Sequence, residues 1–283
     1  MTTERARQYY AEELRFTAAV RSPALVAAFA AVPRERFLGG GPWRIKSPMN
    51  LAAYWTSPDA DPRHVYHDVL VALDEERGIN NGQPSLWARL FDELAVSAGE
   101  HMIHLGCGTG YYTAIAAEMI GPTGDITAIE IDPALAERAR VALAPWPHVR
   151  VRQADGSRIA LDPADVIMAS AGASHPLDIW LNALKSRGRL MMPMTSNRGG
   201  GSMLLATRKD KAEFAAHFVC PVGFIDFAGA RDRKIGERLA RALAGDGGAS
   251  VKSLRRDSHS RTGTCWLHGE DWCLSRRPPA GSK

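Results

Sequence analysis

The sequence predicts an α/β protein with a mostly parallel central sheet and helices on both faces. Three observations carry that expectation. In the stretch His101 to Ala117 a short apolar run ending at Leu105 leads directly into Gly106, Gly108 and Gly110 and then into an alanine-rich helical pattern. Beyond it the pattern alternates: strand-like 125–130, helical 133–143, strand-like 149–152 and 165–169, helical 177–185 and strand-like 188–193. That order gives parallel strands joined by crossover helices. Acidic residues, Glu130 and Asp155, stand at or just beyond the ends of two of these strands, where open α/β sheets gather their ligands.

Residues 3–31 read as helix, with Tyr10, Leu14, Ala18, Leu25, Ala28 and Phe29 forming an interrupted apolar stripe and Ser22-Pro23 marking a break and restart. Pro33 ends the pattern, because it restricts the residue before it. Prolines and paired glycines punctuate 39–62, which reads as an insertion of loop and short irregular structure, with Trp43 and Trp55 as packing residues. A strand-like alternation follows over 65–70, then a turn at Asp74 to Gly78. Pro84 suits the first turn of a helix whose apolar face is Leu86, Trp87, Leu90, Phe91 and Leu94. Asn80, Asn81, Gly82 and Gln83 are thereby placed at a helix N-terminus, with free amides pointing outward.

Met203 to Thr207 and Phe214 to Val222 read as an antiparallel pair closing one sheet edge. Past Ala230 come a helical run at 232–243, a glycine-rich break at 245–248, a hairpin over 266–274 and a tail from Arg276 expected to be disordered. The expected organisation is an N-terminal cap (1–77), a ligand-binding core (78–230) and a C-terminal extension (231–283).

An apolar share of 45% over 283 residues is ordinary for a globular chain. No apolar run suits a signal peptide or reaches the roughly 18 residues of a membrane span, so a cytoplasmic setting without a membrane partner is expected. Cys107, Cys220, Cys265 and Cys273 are scattered and read as reduced thiols. The spacing of Cys265 and Cys273 with His259 and His268 matches no common metal site, so a hairpin and no metal are expected there. The +4 net charge lies mainly around Arg255, Arg256, Arg276 and Arg277 and reads as a solvated tail. Nucleic-acid binding would need a denser basic stripe with interleaved aromatics. The sequence specifies no oligomeric state.

The glycine turn, Gly106-Cys107-Gly108-Thr109-Gly110, is spaced Gly-x-Gly-x-Gly rather than the Gly-x-Gly-x-x-Gly of dinucleotide sites. It resembles motif one of the S-adenosylmethionine-dependent methyltransferases, whose ligand has no pyrophosphate to cradle. Glu130, about twenty residues beyond the last glycine, stands where a carboxylate takes ribose hydroxyls. Asp155-Gly156 stands where such enzymes place an acid near the adenine amine. His104 reads as a polar cap on the strand near the cofactor's amino-acid end, and Cys107 as a small filler.

Over residues 5 to 228 the blocks together resemble the protein-L-isoaspartate O-methyltransferase family. Val32-Pro33-Arg34-Glu35-Arg36-Phe37 is similar to its N-terminal block, Tyr66 and Asp68 to its Tyr-x-Asp block, and Gly78 through Pro84 to its Gly-Gln-Thr-Ile-Ser-Gln-Pro segment. Gly188-Arg-Leu-Met-Met-Pro193 and Val219-Cys-Pro-Val-Gly-Phe224 are similar to later blocks. The chain departs from the family where Thr-Ile-Ser is Asn80-Asn81-Gly82, where the usual acid two residues before the first motif glycine is His104, and in the insertion at 39–62.

The resemblance implies a Rossmann-like class I methyltransferase fold, S-adenosyl-L-methionine as cofactor, and a carboxylate acceptor held by Tyr66, Asn80, Asn81, Gly82 and Gln83. A carboxylic acid of pKa about 4 is already ionised at neutral pH, so the chemistry demands no general base and no catalytic residue is assigned. Rate then comes from holding the reacting atoms in line in a water-poor pocket. An alcohol or amine acceptor would instead need a base, from His67, Asp68 or His175. Three readings stay open: methylation of isoaspartyl residues in proteins or peptides, methylation of a dedicated peptide or small-molecule carboxylate, and an adenosine-ligand-binding module without catalysis.

Overall fold

Caps written in the sequence set the first helices. In the computed structural model, which describes residues 1–280, Thr2 Oγ1 accepts the Arg5 N–H to start α1 (Thr3–Thr17). Ser22 Oγ accepts the Leu25 N–H to start α2 (Pro23–Ala31), with Pro23 in the first turn. The chain divides into two compact units, one of residues 1–100 and 107–153 and one of 101–106 and 154–283.

In the first unit α1 and α2 are followed by a hairpin of β1 (Arg44–Ser47) and β2 (Asn50–Thr56). The expected irregular insertion therefore carries regular structure, because the alternation around Ile45 and Trp55, which face each other across the pair, is obscured by its flanking punctuation. β3 (Leu70–Asp74) pairs with β1 and with β4 (Ile79–Asn80). The strand expected over 65–70 thus begins only at Leu70. The Arg34 guanidinium takes the carbonyls of Val65, His67 and Val69 at 2.7–3.0 Å, so they are not offered to a neighbouring strand.

α3 (Pro84–Leu94) buries Trp87, Leu90, Phe91 and Leu94 as its pattern requires, each contributing about 1.5–3 kcal/mol. α4 (Tyr111–Ile120), β6 (Asp125–Glu130), α5 (Pro133–Ala142) and β7 (Val149–Gln153) complete this unit, with β6 and β7 parallel. Asp132 caps α5 by accepting the Ala134 and Leu135 N–H groups, both at 2.9 Å.

In the second unit β5 (His101–Leu105), β8 (Ala164–Ala169) and β9 (Leu184–Thr195) are parallel, with α6 (Asp178–Ala183) leading into β9. Antiparallel β10 (Gly200–Arg208) and β11 (Glu213–Gly223) extend the sheet. α7 (Arg233–Asp246) is capped by Asp232 and ends at the left-handed Gly247. β12 (Ser253–Arg255) joins β11, and the expected hairpin, β13 (Cys265–His268) with β14 (Cys273–Ser275), adds on through β14.

The tail is ordered further than expected. The Arg276 N–H donates to Thr264 O at 2.8 Å and the Ala280 N–H to Glu213 Oε2 at 2.7 Å, while residues 281–283 lie outside the described ones. The basic cluster is likewise paired: Arg255 with Asp257, Arg256 with Asp178 and Arg277 with Glu213. Among the described residues no helix is long and apolar enough to cross a membrane.

Candidate functional site

The glycine turn is held by two backbone bonds. The Cys107 N–H donates to Ile129 O at 3.1 Å and the Gly110 N–H to Cys107 O at 2.9 Å, with Gly108 at φ +57 and Gly110 at φ +95. Both φ values lie where only glycine sits without strain. Gly110 is the N-cap of α4, and a Cβ there would meet Leu143 Cδ1 at 2.6 Å. A Cβ on Gly108 would meet nothing closer than Leu73 Cδ1 at 3.9 Å, so that side of the turn is left open by the protein.

Glu130, at the end of β6 and only 6% exposed, accepts the Gly108 N–H at 2.7 Å through Oε2 and the Asp132 N–H at 3.0 Å through Oε1. Each oxygen keeps a second lone pair, enough for two hydroxyls. Burial raises the Glu130 carboxyl above its ordinary range, against the lowering effect of the backbone N–H groups. Thr109 Oγ1 is buried without a hydrogen-bond partner among the described residues. An orphaned hydroxyl, an open glycine and spare carboxylate lone pairs fit an adenosine ligand that brings its own polar groups. Burial, and the charge of Glu130, push the Cys107 thiol up, which keeps it inert.

At the start of α3, Asn80 Oδ1 accepts the Gly82 N–H at 2.8 Å in a local turn. Gly82, at φ +77, leaves room for Trp87, whose Nε1 would lie 2.6 Å from a Cβ. Gln83 Nε2 donates to Asp68 Oδ2 at 3.0 Å and to Ser85 Oγ at 2.8 Å, and Asp68 also takes the Ser85 N–H and hydroxyl at 2.8 and 2.7 Å.

Two expected acceptor residues are spent on packing. Asn81 is 6% exposed and its Oδ1 accepts from Arg34 Nε at 3.1 Å. Tyr66 is 3% exposed; its hydroxyl donates to Glu35 and accepts the Arg34 N–H at 3.2 Å. Burial and Glu35 together raise the Tyr66 phenol. Arg34 itself is fully buried. It ties the 65–69 segment to Asn81, a role that nothing in its local sequence reveals.

In the second unit Gly106, at φ +71, turns the chain out of β5, and a Cβ there would come no nearer than 3.9 Å to Ala171. His104 is buried, with Nε2 2.7 Å from Ser170 Oγ, and burial pushes its pKa down to about 3, so the ring is neutral. Asp155 Oδ1 accepts the Ser157 N–H at 2.9 Å and the Ser157 hydroxyl at 2.6 Å, leaving Oδ2 with only Arg158 Nε, 3.6 Å away. Gly156 O accepts the Trp180 indole N–H at 2.8 Å, which fixes the turn after Asp155. Of the alternative bases, His175 has Nδ1 on Ser174 Oγ at 2.8 Å and stacks on Trp272, and Asp68 is taken by Ser85 and Gln83.

The model of the family described as protein-L-isoaspartate(D-aspartate) O-methyltransferase (PCMT) matches residues 5–232. The chain belongs to this family. The Protein-L-isoaspartate O-methyltransferase 1 of Rhodopseudomonas palustris (strain HaA2) is 31% identical over 214 residues, covering 74% of this chain and 78% of that protein. The Protein-L-isoaspartate O-methyltransferase of Methylorubrum extorquens (strain PA1) is 31% identical over 209 residues, 73% of this chain and 81% of that protein.

A solved protein-L-isoaspartate O-methyltransferase shares the fold at a TM-score of 0.66 and 23% identity, covering 84% of this chain and 69% of that one. A beta-aspartate methyltransferase (PCMT) from Plasmodium falciparum, in complex with S-adenosyl-L-homocysteine, does so at 0.62 and 15%, covering 79% and 98%. The Rossmann-like fold that the family resemblance implies is therefore correct. Within this protein-L-isoaspartate O-methyltransferase frame the altered Asn80-Asn81-Gly82 lacks a hydroxyl, but Ser85 carries one three residues on, bonded to Asp68 of the Tyr-x-Asp block. Its position after Pro84 in an amphipathic helix reads as filler, so sequence reasoning passes over it.

Proposed function

We propose that this chain is an S-adenosylmethionine-dependent carboxyl O-methyltransferase acting on isoaspartyl residues of proteins or peptides. The observation that carries the reading is Glu130, a buried carboxylate at a strand end whose Oε2 takes the Gly108 N–H of the glycine turn and whose Oε1 takes the Asp132 N–H, with a further lone pair on each oxygen for a ribose diol. The proposed cofactor residues are His104, Gly106, Cys107, Gly108, Thr109, Gly110, Glu130, Asp155 and Gly156. Asp155 Oδ2 takes the adenine amine and Thr109 Oγ1 a polar group of the ligand. When bound, the cofactor supplies a sulfonium methyl group, which passes to a carboxylate oxygen and leaves S-adenosylhomocysteine.

Asn80, Gly82 and Gln83 bind the acceptor at the α3 N-terminus, whose dipole favours an anion. Tyr66, Asn81, Asp68 and Ser85 hold that segment in place through Arg34 and Gln83. Four free thiols suit a cytoplasmic setting.

The test is transfer of labelled methyl to an isoaspartyl peptide, giving a base-labile ester, with the matching aspartyl peptide as control. Turnover of the isoaspartyl peptide alone is the expected result. Cofactor binding without turnover would favour the second reading, a dedicated peptide or small-molecule carboxylate, which the Asn80-Asn81-Gly82 replacement motivates. Failure to bind S-adenosylmethionine or S-adenosylhomocysteine would leave a module without catalysis.

A further inference from the structure

Outside the region that matches the family, the C-terminal hairpin brings together four side chains that the sequence keeps apart. One ligating atom from each of His259, Cys265, His268 and Cys273 lies within 4.8 Å of all the others. The hairpin register explains how. His268 faces Cys273 across β13 and β14, which puts both on one face. Cys265, three residues before His268, would point to the opposite face of a regular strand. The irregularity between Cys265 and Leu267 supplies the shift that turns it back.

One edge of the cluster already has the spacing of a ligand pair. Cys265 Sγ lies 3.5 Å from His259 Nε2. A tetrahedral zinc with bonds of about 2.3 Å to sulfur and 2.0–2.1 Å to nitrogen requires a sulfur–nitrogen edge of roughly 3.5–3.6 Å. His259 Nδ1 is 2.8 Å from Asp257 O, and donation there leaves the Nε2 lone pair facing the cluster. Asp257 is in turn held by Arg255 Nε at 2.8 Å. His268 Nδ1 is buried without a hydrogen-bond partner among the described residues. Both cysteines are buried, and the Thr262 N–H points at Cys265 Sγ from 3.3 Å.

We propose that His259, Cys265, His268 and Cys273 form a tetrahedral Cys2His2 zinc site that fastens the 256–264 loop to the β13–β14 hairpin. Thiolate with imidazole selects zinc over the oxygen-preferring cations, and four protein ligands leave no open position, so the site is structural. Binding displaces the two thiol protons to solvent and changes no oxidation state. The loop it secures, Arg256-Asp-Ser-His-Ser-Arg-Thr-Gly-Thr264, contains no large apolar side chain, so burial alone would hold it weakly. The proposal is independent of the methyl-transfer reading.

The test uses the full chain, purified under reducing conditions without chelator. Elemental analysis should find about one zinc per chain, and cobalt exchanged for it should show the d–d and sulfur-to-metal absorption of tetrahedral thiolate coordination. Cys273→Ser and His259→Ala should each weaken zinc affinity by more than the roughly 10- to 100-fold that losing a second-shell partner costs. If a variant fails to fold, the cobalt spectrum of the wild-type chain still decides. A wild-type chain that takes up neither zinc nor cobalt would overturn the proposal. So would a Cys265–Cys273 disulfide in the reduced preparation, or zinc bound equally well by a Cys265→Ser/Cys273→Ser double variant.

Discussion

Replacing Glu130 by Gln tests the cofactor assignment where its geometry is best defined. The wild-type carboxylate accepts two backbone N–H bonds, at 2.7 Å from Gly108 and 3.0 Å from Asp132. A carboxamide has one oxygen, so whichever way it turns its NH2 faces one of these donors and leaves that N–H unpaired, at a cost of about 1–3 kcal/mol in stability. On the ligand side one of two charge-assisted bonds to the ribose diol is lost, about 1.5–3 kcal/mol, which is roughly a 10- to 150-fold rise in Kd.

Calorimetry with S-adenosylhomocysteine and urea unfolding at neutral pH measure the two effects separately. Burial holds Glu130 above the ordinary carboxylate range. Wild-type affinity should therefore fall as pH drops through that raised value, while the Gln variant stays flat. Reduced stability with unchanged affinity would refute the ribose assignment and leave Glu130 as a residue that only pins the turn.

Two further outcomes follow from buried groups. His104 is neutral in the fold, its pKa pushed to about 3 by burial, while an unfolded histidine titrates near 6.5, so the unfolded state binds the extra proton between these values. Stability is then complete above about 6.5 and is lost as pH falls, by about 2 kcal/mol at pH 5. Urea unfolding should show His104→Gln losing about 2 kcal/mol less than wild type between pH 7 and 5, and parallel losses would contradict this. Arg34→Met leaves three backbone carbonyls and Asn81 Oδ1 without their donor. It should cost about 3–5 kcal/mol in unfolding free energy, and a loss under about 1 kcal/mol would mean that water or rearrangement replaces those bonds.

Much of this protein is legible in its residue order because the signals are local. The glycine turn, the capping residues Ser22, Asp132 and Asp232, and the period of α3 act within a few residues of where they stand, and each element appears where its pattern places it. Glu130 is legible for the same reason, since a strand end and a fixed interval define its place. The 65–70 segment is not, because Arg34, some thirty residues away, takes the carbonyls that a strand would have used.

Tyr66 and Asn81 look like surface ligands in the chain, yet become buried supports through that same side chain. The His259, Cys265, His268 and Cys273 cluster matches no familiar spacing, since a strand irregularity and a cross-strand register, neither of which has a one-residue signature, put its members on one face. Local chemistry is written along the chain, whereas the meeting of distant polar groups depends on which long-range pairing satisfies their hydrogen bonds, and only the folded structure decides that.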